Sequence, residues 1–143
     1  MFQSFDAVTD PGQGIARVAA LREWMAAHAL DGFLVPRADE HQGEYVPARA
    51  ARLKWLTGFS GSAGVAIVLK DSAYVFVDGR YTLQVRNEVD LSVFHIESLV
   101  DNPPPAWIRD NLGKGTRLGF DPWLHTIGEV KALQASAEKA GIV

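Results

Sequence analysis

Two short runs, Gly64–Leu69 and Ala73–Val77, are apolar at almost every position and are separated only by Lys70-Asp71-Ser72. A strand with one face in water alternates apolar and polar side chains. A uniformly apolar run bounded by turn residues reads instead as a strand covered on both faces. The short polar link makes the pair an antiparallel hairpin inside an α/β sheet.

The flanking sequence supplies the covering layers. Ile15, Val18, Leu21 and Met25 recur at helical spacing and predict a helix over 13–29, ended by Asp31-Gly32. Phe33-Leu34-Val35 is a short buried strand stopped by Pro36, and residues 37–47 are polar and irregular. Pro47 opens a second helix reaching Leu56, with Gly58 as its cap. Asp78-Gly79 turns the chain into a helix over 80–89, and a strand follows over 91–96. Asn102-Pro103-Pro104-Pro105 opens a helix with Trp107, Ile108 and Leu112 on one side, and Gly113 closes it. A strand over 116–120 precedes Thr126-x-x-Glu129, a capping box for a last helix ending at Gly141. Ile142-Val143 read as the start of another strand, which predicts that the chain is part of a longer protein. The expectation is a flexible arm over 1–13 and a single α/β domain over 14–143. Its mixed sheet has about five to six strands flanked by helices.

Composition narrows the function classes. A net charge of −3 with no run of Lys or Arg argues against a nucleic-acid partner. The absence of cysteine removes thiolate catalysis and Cys-based zinc sites, and it fits a reducing compartment. The first residues have no basic and apolar leader pattern, and no apolar run approaches the roughly 18 residues that span a bilayer. A cytoplasmic location, with no membrane partner, is the expectation.

No catalytic set stands out. The four histidines, His28, His41, His95 and His125, have no metal-ligand spacing. Asp39-x-His41-x-x-Glu44 could hold an ion from a loop, but a lone local cluster lacks the remaining ligands a site needs. Gly58-Phe59-Ser60-Gly61-Ser62-Ala63-Gly64 leads into a strand, not a helix, so it is neither a phosphate cradle nor a nucleophile elbow. Its hydroxyls are expected to satisfy local amides. Asp39, Asp78 and Asp121 near strand ends could mimic an RNase H-like two-metal site, against which the acidic balance weighs. The four tryptophans read as core residues. Arg80 is odd: a cation at the start of a helix opposes the helix dipole, and it lies just past the carboxyl end of a buried strand. It is either a ligand group or the partner of a nearby carboxylate such as Asp78.

Four segments, in this order, carry a resemblance. They are Val35-Pro36-Arg37-Ala38-Asp39-Glu40-His41-Gln42-Gly43-Glu44-Tyr45; Arg52-x-x-Trp55-Leu56-Thr57-Gly58-Phe59-Ser60-Gly61-Ser62-Ala63-Gly64; Val77-Asp78-Gly79-Arg80-Tyr81-x-x-Gln84; and Gly119-Phe120-Asp121-Pro122. Together they resemble the first domain of cytosolic-type Xaa-Pro aminopeptidases, of the creatinase/prolidase N-terminal domain family, whose fold contains an RNase H-like motif. The resemblance covers about residues 14–143. It implies a longer enzyme with two related N-terminal domains and a catalytic domain that holds two divalent metals, commonly manganese. Such an enzyme removes an N-terminal residue that precedes proline. The metal-ligand motifs do not occur in this chain, so the chain alone is expected to be inactive and to hold no cofactor. The resemblance further implies that the domain contributes to a homodimer and to substrate access. It assigns substrate engagement to Arg80, with His41 and Tyr45 as further entrance residues. Gly58, Gly61, Gly64 and Gly79 are read from their positions in caps, tight passages and turns as structural. A stand-alone protein-binding or scaffold module is the other reading.

Overall fold

The hairpin is built as its composition demands. In the computed structural model, which describes residues 10–143, β2 (Gly64–Leu69) and β3 (Ala73–Val77) pair antiparallel with Ala66 opposite Val75. They form the centre of a five-stranded mixed sheet. β1 (Gly32–Pro36) lies antiparallel to β2; β4 (Phe94–Ser98) runs parallel to β3 and β5 (Leu118–Phe120) parallel to β1, in the order β4-β3-β2-β1-β5. The carboxyl ends of β1, β3, β4 and β5 therefore share one edge with the start of β2. Five strands lie at the low end of the expected number. Val143 runs beside β5 through two backbone hydrogen bonds of 2.8 Å, to Leu118 and Thr116, without forming a strand of its own.

Alternate residues of each central strand feed two separate cores. Ala66, Val68, Val75 and Val77 point to a layer of α1 (Gln13–Ala27), α2 (Arg52–Thr57) and α3 (Thr82–Glu88), where Val18, Met25, Leu53, Leu56 and Val85 are buried. Val65, Ile67 and Phe76 point to the opposite layer, α4 (Pro104–Asn111) and α5 (Ile127–Ala140), with Trp107 and Ile108. The result is a three-layer domain. Fully burying a side chain of this size contributes about 1.5–3 kcal/mol, so both layers are needed to hold the sheet.

Several element boundaries move from expectation for local reasons. Residues 1–9 of the expected arm lie outside the described residues. From Asp10 the chain already turns into α1, with the Gly12 amide on the Asp10 carboxylate at 3.0 Å. α1 stops at Ala27 because Ala29 adopts φ 53° and the Leu30 amide returns to Met25 at 2.9 Å. The helix expected over 47–56 is a 3₁₀ turn at Ala48–Ala50 and a separate α2, broken at Ala51. The strand expected from 91 begins at Phe94, because Asp90 takes the Ser92 amide and hydroxyl into a side-chain turn. The strand expected from 116 begins at Leu118, after a turn in which Thr116 bonds back to Gly113. The capping box at Thr126 and Glu129 forms in full.

Between α2 and β2 the glycine-rich loop is fixed from two sides. Gly58 closes α2 at φ 84°, in the left-handed region that glycine enters without steric cost. Gly61 lies flat on the buried ring of Phe59, and a Cβ there would overlap that ring. From α3, the buried Glu88 accepts the Ser60 amide at 2.8 Å and its hydroxyl at 2.6 Å, and the Gln84 amide bonds both Ser60 and Glu88 at 3.2 Å. The Ser60 hydroxyl thus binds a carboxylate 28 residues away rather than local amides. Gly64 is also tightly enclosed, 3.0 Å from Phe59 on its Cβ side, whereas Gly79 has nothing within 4 Å and has no steric need to be glycine.

Two stability outcomes follow. Gly61→Ala should lower unfolding stability by about 1–3 kcal/mol, because the Phe59 ring cannot retreat within the core. Glu88→Ala should cost about 1–3 kcal/mol by orphaning the Ser60 donors, while Glu88→Gln, which keeps an acceptor, should cost less. Urea denaturation measures both; a Glu88→Ala midpoint equal to the parent's would show that the clamp carries no stability.

Candidate functional site

The shared edge of the sheet gathers the sequence segments singled out above. β3 ends at Val77, and Asp78 leaves it in extended conformation to cap a 3₁₀ turn over Gly79–Tyr81. The Asp78 carboxylate accepts the Arg80 amide at 2.9 Å and the Arg80 guanidinium through Nε at 3.1 and 3.2 Å and Nη2 at 2.7 Å. The helix expected over 80–89 begins only at Thr82. Arg80 therefore precedes it, and the cost of a cation at a helix start does not arise; the turn is organised by the ion pair instead.

Arg80 remains presented to solvent, with 68% of its side chain exposed against 22% for Asp78. Its guanidinium stands 5.1 Å from the Tyr81 ring centre. Tyr81 is itself fixed: its hydroxyl pairs with Ser62 Oγ and its ring meets Phe59 edge-on at 5.5 Å. The glycine-rich loop thus supports the Arg80 turn through Ser62 and Phe59, while Glu88 secures the loop. Hydrogen bonds from Arg80 hold the Asp78 carboxyl below its usual range. The tether is therefore in force above the ordinary Asp value and is lost only as pH falls through the lowered one. The Ser62 hydrogen bond likewise lowers the Tyr81 phenol from its ordinary value. An exposed, oriented guanidinium with donors to spare is suited to a carboxylate or carbonyl.

The first segment forms the neighbouring loop after β1. Asp39 is buried and spends its carboxylate on the amides of His41 and Gly43, both at 3.0 Å. The Gly43 amide is the main cause of its lowered pKa. His41 is exposed beside Glu40, 3.7 Å away, and Tyr45 is 88% exposed. Among the described residues no hydrogen bond or ion pair joins His41 or Tyr45 to Arg80, and the three share the edge rather than one cluster. The loop is instead tied to the fourth segment: Gln42 donates to the Leu124 carbonyl at 3.2 Å, and Arg52 pairs with Asp121.

Among the described residues no three His, Asp or Glu side chains converge to hold a metal. Neither Ser60 nor Ser62 has a histidine partner among them. No described helix is long and apolar enough to cross a membrane. Three of the tryptophans depart from the expected core role. Only Trp107 is buried, whereas Trp24, Trp55 and Trp123 are 45%, 53% and 74% exposed. Two of these rings have partners that pin them at the surface: Trp24 stacks on His28 at 4.0 Å, and Arg17 lies 5.0 Å over Trp55. Sequence reasoning missed Glu88, whose pairing with Ser60 leaves no local pattern.

The fold is matched elsewhere. The profile of the creatinase/prolidase N-terminal domain matches residues 17–143. Aminopeptidase P1 of Lotus japonicus is 40% identical over 126 residues, covering 85% of this chain and 19% of that protein. Xaa-Pro aminopeptidase 2 of Rattus norvegicus is 36% identical over 112 residues, covering 78% and 17%. The chain thus spans about a fifth of the length of the curated relatives it matches. The crystal structure of the Caenorhabditis elegans X-prolyl aminopeptidase, described as a cytosolic enzyme with a di-nuclear active site, superposes with a TM-score of 0.80 at 27% identity, covering 90% of this chain and 23% of that one. The N-terminal, creatinase/prolidase-like domain of a Corynebacterium diphtheriae putative metallopeptidase gives 0.69 at 25% identity, covering 92% and 94%. With the profile spanning nearly all the described residues, the chain belongs to the creatinase/prolidase N-terminal domain family.

Proposed function

We propose that this chain is the non-catalytic N-terminal domain of an Xaa-Pro aminopeptidase, a metallopeptidase that removes an N-terminal residue preceding proline. The 40% identity to Aminopeptidase P1 over most of the chain is the observation that carries this reading. The hydrolysis would use a dinuclear metal centre, with manganese as the metal, in a catalytic domain outside this chain. The described residues do not fit that centre. Asp39 is committed to backbone amides and Asp78 to Arg80, and His41 stands exposed beside Glu40. The domain's part would be to wall the substrate entrance and contribute to a homodimer in the cytoplasm. Its site-bearing edge would face the proline-containing peptide.

Arg80 is the residue assigned to substrate. Asp78 fixes the guanidinium without covering it, and Tyr81 and Ser62 support the turn, so the donors are placed before substrate arrives. His41 and Tyr45 would flank the same entrance from the next loop.

In a full-length Xaa-Pro aminopeptidase carrying this domain, Arg80→Ala should lower kcat/KM for an X-Pro peptide by about 10- to 100-fold, the worth of a charge-assisted hydrogen bond. Arg80→Lys should recover only part of the loss, because a point charge cannot reproduce the fork. The 143-residue chain with added manganese should not turn over the peptide. An unchanged kcat/KM in Arg80→Ala would reduce Arg80 to a surface ion pair.

A further inference from the structure

The strand register aims one cation that the Arg80 turn does not use. Arg37 follows β1, and its amide bonds the Gly64 carbonyl at 2.9 Å, which carries the β1–β2 pairing one residue past Pro36 and Val65. Side chains alternate along a strand, and Val35 lies in the core beneath α1, α2 and α3, so Arg37 projects on that side. A Cβ on Gly64, opposite Arg37, would meet Phe59 and Leu53 of the same core. Arg37 there lines a recess of about 120 Å³ between the loop after β1, α2 and the glycine-rich loop. Neither Arg80, His41 nor Tyr45 lines it.

Val46, Leu53 and Phe59 give the recess apolar walls, and Arg37, Lys54 and Gly61 supply its donors. Arg37 is half-buried and donates only to the Glu44 carbonyl; among the described residues no carboxylate pairs with it. A cation that has lost part of its water without gaining a counter-charge favours an anion beside it. Lys54 is exposed and likewise has no carboxylate partner among the described residues. Gly61 is buried, and its amide meets no acceptor among the described residues, an uncommon state for a buried backbone N–H. Ser60, also in the wall, has nothing left to donate, because its amide and hydroxyl are both spent on Glu88.

Two cations and an unpaired amide around a small, partly apolar recess call for an oxyanion. The Glu88 carboxylate behind Ser60 opposes a dianion more strongly than a monoanion. The volume lies below the range of drug-sized sites and suits an acid group with a chain of few carbons. We infer that this recess binds a small monocarboxylate, its oxygens on the Arg37 guanidinium and the Gly61 amide and its short chain against Val46, Leu53 and Phe59. Lys54 adds positive charge at the exposed side. The inference is independent of the aminopeptidase reading.

The test is a ¹H–¹⁵N NMR titration of the chain with sodium butyrate at constant ionic strength. Saturable shifts are expected at the Val46, Lys54 and Gly61 amides, with a dissociation constant up to about 10 mM for so small a ligand. Butyramide, the neutral isostere, should bind at least about tenfold more weakly. This comparison uses the unaltered chain and does not depend on the folding of any variant. Inorganic phosphate should bind more weakly than butyrate. Arg37→Gln should weaken butyrate binding at least about tenfold, and Lys54→Gln, at an exposed position, by about two- to fivefold. The same shifts should appear in Arg80→Ala, since Arg80 does not line the recess. Equal binding of butyrate and butyramide, phosphate binding as tightly as butyrate, shifts that are lost in Arg80→Ala, or no saturable shift would each overturn the inference.

Discussion

The β2–β3 hairpin shows no face to water, and the rest of the architecture is a consequence. Alternate side chains of both strands enter different cores, so helices must cover each side: α1, α2 and α3 on one, α4 and α5 on the other. The outer strands add in parallel, β4 beside β3 and β5 beside β1. This places four carboxyl ends along one edge, where loops can carry ligand groups on a rigid frame. The three-layer packing and the location of the candidate site therefore have one cause.

A second constraint works within that frame. The glycine-rich loop has few apolar side chains of its own to bury, and it is held by Phe59 beneath Gly61 and by Glu88 on Ser60. The held loop in turn supports Tyr81 through Ser62, and Tyr81 adjoins Arg80. The chain of contacts runs from the core to an exposed guanidinium through side chains with defined partners. Stability and presentation are thus linked: the residues that fix the loop are those that position the edge.

Much of this is legible in the sequence, unevenly. Uniform apolarity identifies β2 and β3, and the Thr126–Glu129 spacing identifies the start of α5, because both signals are local. Boundaries at Ala51, Asp90 and Ala29 are missed, since side-chain turns and a left-handed alanine override the periodicity around them. Arg80 stands out by position, but its pairing with Asp78, its 3₁₀ turn and its support by Ser62 need the fold. Glu88 carries no pattern, because its partner Ser60 comes from a distant segment. Trp24 and Trp55 are misread because neighbouring His28 and Arg17 occupy their faces at the surface.

The orientation of the site-bearing edge toward a metal centre is the central functional claim, and paramagnetic relaxation tests it most directly. In a full-length Xaa-Pro aminopeptidase carrying this domain, loaded with manganese, amide signals of Ser62, Arg80 and Tyr81 should be broadened relative to a magnesium-loaded sample, while those of Leu69 and Ser72 at the opposite edge should not. Broadening at Leu69 and Ser72 with Arg80 and Tyr81 unaffected would contradict it.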